Sequence, residues 1–305
     1  MRLGVLDVGS NTVHLLIVDA HRGAHPWPAY SEKSVLRLAE RIGPDGKLDA
    51  AAGDDLVKAV AAARHAAEQH EVDDMLAFAT SAVRDATNSA RVMARVRQET
   101  GVELEVLSGV DEARLTFLAV RRWFGWSAGR VLVIDIGGGS LEIAAGLDEE
   151  PAIALSLPLG AGRLTRERLS ADPPPVVEVD DLREYASRQL QSVDVGDWDR
   201  AVATSKTFRT LARLAGAAPS SAGFRTARSL SRTGVHQIIG FIQRMASSAV
   251  AEMDGVSSAR AHQLLAGAVV AEATMRRLGA EQVDICPWAL REGVILRRLD
   301  GIANA

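Results

Sequence analysis

The chain has 305 residues, 47% of them hydrophobic and 24% charged, figures typical of a globular protein whose length indicates two domains. Its formal net charge of −4 lacks the basic excess of a general nucleic-acid binder, so no nucleic-acid partner is expected. The single cysteine excludes an intrachain disulfide and favours a reducing compartment. No apolar run is long enough to predict a membrane span, and we expect a cytoplasmic protein.

The first 124 residues predict strands that alternate with helices. Short apolar runs predict strands at 3–8, 12–18, 32–38, 74–79 and 103–107. Apolar residues at helical spacing predict helices at 49–70, 87–100 and 110–123. This alternation is typical of an α/β layer architecture.

The second half of the chain begins with the same kind of pattern and then becomes richer in helix. Strands are predicted at 131–136, 141–147 and 281–286. Helices are predicted at 180–192, 206–215, 231–252, 258–278 and 288–299. The segment LPLGAGRLT at 157–165 is interpreted as a loop.

Two segments of the second half repeat segments of the first. VLVIDIGGGSLEI in the second half matches the start of the chain, with Asp135 in the place of Asp7, 128 residues apart. AFATSAVRDA at 77–86 similarly matches AVATSKTFRT at 201–210, at an offset of 124 residues. Chance similarity of short apolar strands is the alternative, but two matches at nearly one offset favour two related halves.

The repeated strand ends in Asp-x-Gly, a pattern that can bind phosphate and a metal ion. Glycine lets the backbone turn sharply after the strand, so that N–H groups and neighbouring hydroxyl or amide groups can bind phosphate oxygens. The aspartate can hold Mg²⁺, which prefers few carboxylates together with phosphate and water. One such turn also occurs in ordinary hairpins. Two copies in related halves predict a phosphate-binding site with a metal ion.

The chain resembles the superfamily of actin-like ATPases, sugar kinases and heat-shock chaperones. Within it, the chain is most similar to the exopolyphosphatase and guanosine pentaphosphate phosphohydrolase family. The segments that carry the likeness are DVGSNTVHLLI at 7–17, ATSAVRDATN at 79–88, LSGVDEARLTF at 107–117, VIDIGGGSLEI at 133–143, LPLGAGRLT at 157–165 and WALREGVIL at 288–296. They span the chain in the expected order, and its length is that of the short, two-domain members.

The resemblance implies a fold and a domain arrangement. The fold is α/β, with two duplicated actin-like (ribonuclease H-like) domains that face each other across a cleft. Residues 1–124 with about 289–305 form the first domain, which carries the first phosphate hairpin and the catalytic glutamate. Residues 125–288 form the second domain, which carries the GGGS hairpin. A homodimer is also expected from the family.

The resemblance also implies roles for individual residues. Glu112 matches the family's catalytic base, although local sequence alone, which places it in the first turn of a helix, favours a structural role. The expected ligands of Mg²⁺, or of Mn²⁺, are Asp7, Asp135 and Glu142. The expected phosphate-binding residues are Gly9, Ser10, Asn11, Thr12, Arg84, Gly137, Gly138, Gly139, Ser140 and Lys206. Lys206 departs from the pattern of many relatives, and Pro158 and Ala161 stand where some have Arg and Cys.

The implied activity is metal-dependent removal of the terminal phosphate from inorganic polyphosphate, most fittingly from short chains. Removal of the 5′ γ-phosphate of guanosine pentaphosphate is the alternative, because the same hairpins and base would serve it. An ATP-binding kinase or actin-like protein is disfavoured. Its adenosine site uses adjacent glycines in the second domain, where this chain has adjacent glycines at 137–139 alone.

Overall fold

The chain folds into two units, each built around one β-sheet. A computed structural model describes residues 1–21 and 27–303. The first unit comprises Met1–Leu115 and Leu290–Ala305, and the second comprises Thr116–Ala289. The first break thus lies at 115–116, whereas the sequence-based domain boundary is 124.

The first unit is a five-stranded mixed sheet covered by helices on both faces. Its strands are β1 (Arg2–Val8), β2 (Thr12–Asp19), β3 (Trp27–Val35), β4 (Asp74–Ala79) and β5 (Glu105–Val106), in the order β3-β2-β1-β4-β5. Its helices are α1 (Ala50–Gln69), α2 (Ser81–Arg84), α3 (Ser89–Thr100), the start of α4 (Gly109–Phe124), and α11 (Leu290–Ala303). The β1–β2–β3 pairs are antiparallel, whereas β4 and β5 run parallel to β1.

The second unit repeats this sheet with one additional edge strand. Its strands are β6 (Val131–Ile136), β7 (Leu141–Gly146), β8 (Ile153–Leu157), β9 (Arg200–Ala203), β10 (Ser229–Ser231) and β11 (Gln282–Ile285), in the order β10-β11-β9-β6-β7-β8. Its helices are α5 (Ala161–Arg168), α6 (Val176–Leu190), α7 (Ser205–Leu214), α8 (Arg232–Ile242), α9 (Ser247–Ala251) and α10 (Leu264–Arg277). The shared strand order confirms the predicted duplication and the α/β class.

Short 3₁₀ helices occur in the connections of both units, at Leu38–Arg41, Trp126–Ala128, Ser220–Ala222 and Ala261–Gln263. Among residues 1–21 and 27–303, no helix combines the length and apolar character needed to cross a membrane.

The first sheet has an apolar layer on each face because its central strands are buried on both sides. Leu6 and Leu15 belong to a core shared with Leu56 and Val60 of α1. On the opposite face, residues such as Val5 pack with Ile295 of α11. Helix α11, the last in the chain, therefore completes the core of the unit that the N-terminal residues form.

A glycine fixes the distance between α11 and α4. A Cβ built on Gly293 would overlap the backbone of Leu115, so no larger residue fits without moving a helix. Gly293 belongs to the WALREGVIL segment, and Leu115 lies on the helix that carries Glu112. Close packing is the physical reason for this part of the sequence pattern.

The strand predicted at 32–38 is β3, which lies earlier in the chain and ends at Val35. Beyond it, the backbone N–H groups of Leu36 and Arg37 both donate to the carbonyl oxygen of Asn11, at 3.0 Å each. Arg37 adopts a φ of 50°. The prediction is therefore wrong for its last residues, because the chain turns toward the β1–β2 hairpin instead of continuing as a strand.

Some predictions for the second unit are also wrong. The segment 157–165, predicted as a loop, contains the last residue of β8 and the start of α5. The helix predicted at 231–252 is broken into α8 and α9. The helix predicted at 258–278 is a 3₁₀ turn followed by α10.

Candidate active site

The two strand–turn–strand hairpins share one backbone geometry. In the first unit, Gly9 N donates to Thr12 O at 2.9 Å. In the second unit, Gly137 N donates to Ser140 O, also at 2.9 Å. These pairs are separated by the same 128 residues as Asp7 and Asp135, so the repeat extends to the hydrogen bond of the turn.

The first hairpin leaves one backbone N–H group unused, and the second leaves two. Among the residues that the structure describes, the N–H groups of Ser10, Gly138 and Gly139 make no hydrogen bond. Ser10 and Gly139 are buried. Buried N–H groups are almost always paired, with protein, water or a ligand. At a turn beside an aspartate, such N–H groups are suited to bind phosphate oxygens.

The first hairpin is held by contacts with neighbouring segments. The hydroxyl groups of Ser10 and Ser81 are hydrogen-bonded at 2.9 Å in a buried position at the start of α2. The carbonyl oxygen of Ser10 accepts from Ala39 N at 3.0 Å. These bonds fix the turn from two sides and leave the N–H group of Ser10 available.

Glu112 lies in the first turn of α4 and is only 7% exposed. Its helix begins after Ser108, whose hydroxyl accepts a hydrogen bond from Asp111 N at 3.1 Å and donates to the Asp111 carboxylate at 2.6 Å. Asp111 thus belongs to the helix cap, whereas the carboxylate of Glu112 contacts Arg84. Parallel strands β1, β4 and β5 bring the hairpin, α2 and α4 to the same edge of the sheet.

Arg84 forms an ion pair with Glu112, as the guanidinium Nη1 donates to Glu112 Oε1. Arg84 also donates to Leu107 O at 3.2 Å and to Asp85 Oδ1 at 3.1 Å. Burial lowers the pKa of Arg84, but the carboxylates of Glu112 and Asp85 outweigh that effect and raise it above the ordinary guanidinium value. The predicted arginine and the predicted base are therefore direct neighbours.

The second hairpin is braced by α5. Arg163 N donates to Gly138 O, and Arg163 Nε donates to Gly139 O, each at 2.9 Å. A Cβ on Gly160 would overlap the backbone of Gly139 and Ser140. The segment that the sequence analysis interpreted as a loop therefore supports the glycine-rich turn.

Two carboxylates stand side by side at the second hairpin. Asp135 and Glu142 are directly opposite each other in the β6–β7 register, so their side chains project from the same face of the sheet. The hydroxyl of Thr204 donates to Asp135, and the hydroxyl of Ser156 donates to Glu142 Oε1 at 2.9 Å.

Burial raises the pKa of Asp135. The hydrogen bond from Thr204 and the charges of Arg209 and Arg260 act in the opposite direction and offset part of that rise. A buried carboxylate beside a second carboxylate is an environment in which a bound cation is favourable.

Lys206 lines a small pocket beside the second hairpin, together with Gly137, Gly138 and Arg260. The residue before it, Ser205, has a φ of 73°, which is uncommon for a residue other than glycine. Such backbone strain is concentrated at functional sites. The structure therefore places the unusual lysine next to the glycines with which the sequence grouped it.

The acidic residues fit a hard cation of the Mg²⁺ type. Mg²⁺ is usually bound by one or two carboxylates together with substrate phosphates, and Asp135 with Glu142 supply two. Asp7 belongs to the first unit, where its register partner is His14. Within 1–21 and 27–303, no three His, Cys, Asp or Glu side chains form a group able to hold a metal ion.

Sequence reasoning missed three residues that lie near the predicted site residues: Thr204, Arg260 and His14. Thr204 could have been found from the repeat, because Thr80 and Thr204 occupy matching places after β4 and β9. Their N–H groups donate to Val8 O and Ile134 O, respectively. Arg260 has no such signal, since one arginine among many becomes distinctive only when the fold places it near Asp135.

Solved structures have the same architecture as this chain. An exopolyphosphatase from Cytophaga hutchinsonii ATCC 33406 is 25% identical, with a TM-score of 0.88 over 99% of this chain and 98% of that one. The Aquifex aeolicus member of the Ppx/GppA family is 24% identical, with a TM-score of 0.83 over 100% of this chain and 99% of that one. The fold is thus the two-domain actin-like α/β fold of these proteins, as the sequence predicted.

The family follows from the sequence comparisons. A model of the Ppx/GppA phosphatase family matches residues 17–301. Exopolyphosphatase 1 of Mycobacterium leprae (strain TN) is 59% identical over 309 residues, which cover 100% of this chain and 91% of the relative. This chain belongs to the Ppx/GppA phosphatase family.

Proposed function

We propose that this chain is an exopolyphosphatase, an enzyme that removes the terminal phosphate of inorganic polyphosphate. The observation that carries the proposal is the duplicated hairpin, in which unused backbone N–H groups lie beside an aspartate. The relative at 59% identity is named an exopolyphosphatase, which supports polyphosphate over guanosine pentaphosphate as the substrate.

Glu112 acts as the general base. It accepts a proton from water while the water oxygen attacks the terminal phosphorus; a new P–O bond forms and the bridging P–O bond to the chain breaks. The products are orthophosphate and a chain shorter by one phosphate. Arg84 holds one oxygen of the Glu112 carboxylate, which orients the base and favours its ionised form.

The hairpins bind the phosphate oxygens. In the first unit the proposed ligand is the N–H group of Ser10, and in the second unit the proposed ligands are the N–H groups of Gly138 and Gly139, each with the other residues of its own predicted turn. Such donors are fixed before the substrate arrives, so they stabilise charge in the transition state without reorganising. Lys206 adds a positive charge beside the second hairpin.

We assign Mg²⁺, or Mn²⁺, to Asp135 and Glu142, and we retain Asp7 as the candidate ligand of the first unit. When bound, the ion would neutralise negative charge on the phosphates. A cytoplasmic location and a homodimer belong to the same proposal. The single cysteine supports the former, and analytical ultracentrifugation tests the latter.

The proposal is tested by orthophosphate release from short polyphosphate, long polyphosphate, guanosine pentaphosphate and ATP, with Mg²⁺ and with EDTA. Wild-type protein should act on polyphosphate in the presence of Mg²⁺. Glu112→Gln should lower kcat by about 10²–10⁴-fold, the usual contribution of a general base.

The matched control is Asp111→Asn, which removes the neighbouring, half-exposed carboxylate of the same helical turn. It should retain most of the activity. Full activity of Glu112→Gln would overturn the assignment of the base. Release from guanosine pentaphosphate in place of polyphosphate would overturn the substrate.

A further inference from the structure

Three neighbouring strands of the first unit align one polar residue each. Asp7 on β1 is opposite His14 on β2, and His14 is opposite Lys33 on β3. Residues that face each other across strands share one side of a sheet. Two strand spacings separate Asp7 from Lys33, roughly 10 Å between their backbones. We call Asp7, His14 and Lys33 the polar row.

His14 is buried, with only 5% of its surface exposed. Its Nε2 is within hydrogen-bond distance of Ser31 Oγ, at 2.8 Å. Its Nδ1 is buried and has no hydrogen-bond partner among the described residues. When Ser31 donates to Nε2, the ring proton lies on Nδ1, which is then an unused donor. A buried donor of this kind is costly unless a ligand or water completes it.

Lys33 carries the positive charge of the row. It is exposed, and among residues 1–21 and 27–303 its side chain forms neither a hydrogen bond nor an ion pair. Lys47, by contrast, is paired with Asp45 at 3.0 Å. The chain has only four lysines, and this one stands on the edge strand of the sheet, on the face that carries Asp7.

The equivalent row of the second unit has the opposite character. There Asp135 is opposite Glu142, and Glu142 is opposite Ser156. Two carboxylates and a hydroxyl suit a cation, whereas an imidazole and an ammonium beside a single carboxylate suit an anion. The two hairpins therefore share a backbone geometry but present different chemistry along the adjoining strands.

We propose that His14 and Lys33 bind phosphate groups of the polyphosphate chain, next to the hairpin that carries Ser10. The inference rests on the proposed function and assigns two substrate-binding residues to it. Lys33 supplies a point charge that follows successive phosphates of a flexible chain, and Nδ1 of His14 donates to a phosphate oxygen. Because Lys33 is two strands away from Asp7, its contact is with a phosphate beyond the reacting one.

The test compares Lys33→Gln with Lys58→Gln. Lys58 is an exposed lysine of α1, a helix that packs against the opposite face of the sheet, so both variants lose the same charge from the same unit. Lys33→Gln should raise KM for polyphosphate by about tenfold, the loss expected from one charge-assisted hydrogen bond. Its effect on kcat should be smaller, and Lys58→Gln should resemble the wild type.

Calorimetric binding of tripolyphosphate separates this inference from the proposed function. If wild-type protein releases no phosphate, the proposed function fails, and binding alone then tests whether the polar row binds phosphate. Weaker binding by Lys33→Gln than by Lys58→Gln would support the row in either case. Equal binding and equal KM in the two variants would overturn it.

His14→Asn provides a second variant. Its amide can replace one ring hydrogen bond but not both, so tripolyphosphate binding should weaken while the melting temperature stays close to that of the wild type. Unchanged binding by this variant would show that His14 does not bind the phosphate.

Discussion

Arg84 and Glu112 form an ion pair in which each residue stabilises the charged form of the other. The guanidinium is bound to the carboxylate at the start of α4, and the two carboxylates near Arg84 raise its pKa. Coupling between charges is reciprocal, so the positive charge of Arg84 favours the ionised form of Glu112. A general base must be ionised to accept a proton.

Loss of the charge at Arg84 should therefore change the pH profile of phosphate release. In Arg84→Gln, the ionised form of Glu112 loses the positive charge that stabilises it. The base therefore stays protonated, and inactive, up to a higher pH than in the wild type. The acid limb of kcat against pH should move upward. Arg84→Lys retains the charge and should move the limb less. The same shift in both variants, or none in either, would contradict this account of the pair.

At the scale of single residues, the sequence predicted those that belong to a repeat or a motif. Glu112, Arg84 and the two turns occupy the predicted neighbourhoods because short segments place them directly after strands. Their roles stay predictions. His14 could not be predicted in the same way, because its unused Nδ1 and its alignment with Lys33 depend on strand register.

At the scale of elements, the second hairpin depends on a close contact with α5. Gly160 has φ −72° and ψ 145°, values open to any residue, so its requirement for glycine is steric. Alanine at this position would force its Cβ into the backbone of Gly139 and Ser140. The turn that presents the N–H groups would have to shift.

We expect Gly160→Ala to lower kcat by about tenfold or more, because a displacement of about 1 Å at a binding group can cost 10²-fold. Gly240→Ala is the control, since its Cβ would meet nothing within 4 Å and it lies inside α8. That variant should retain activity and gain about 0.5–1 kcal/mol of stability. Steady-state kinetics and thermal melting of both variants check the prediction; normal activity in Gly160→Ala would contradict it.

Elements defined by local pattern were predictable, and elements defined by distant contacts were not. Helix α1 and strand β4 follow from apolar spacing alone. The break between α8 and α9 does not, because Ser247 at the start of α9 is bound to Asp172, 75 residues away, through its N–H group and its hydroxyl. No glycine or proline marks that break in the sequence.

At the scale of the whole molecule, the first unit is built from two segments that are far apart in sequence. Helix α11 follows the entire second unit in sequence but belongs to the first. Its residue Ile295 is fully buried among Leu3, Val5 and Leu16. The stability of the first unit therefore depends on residues that are synthesised last.

Ile295→Ala should destabilise the first unit selectively. Removing a buried isoleucine side chain typically costs about 2–5 kcal/mol, through lost burial and the cavity that remains. Amide hydrogen exchange should accelerate in β1 and β4, whose side chains contact this core, while β6 and β9 of the second unit keep their protection. Because Glu112 and Arg84 lie at the edge of the first sheet, activity should fall at a lower temperature than in the wild type.

The control lies seven residues further along the same helix. Ile302 is 42% exposed, so Ile302→Ala makes the same chemical change with little loss of buried surface and should alter stability by less than about 0.5 kcal/mol. Hydrogen exchange followed by mass spectrometry on the full chain measures both variants. Acceleration spread equally over β1 and β6 in Ile295→Ala would show that the two units unfold together, and equal effects of the two substitutions would show that α11 does not support the first core.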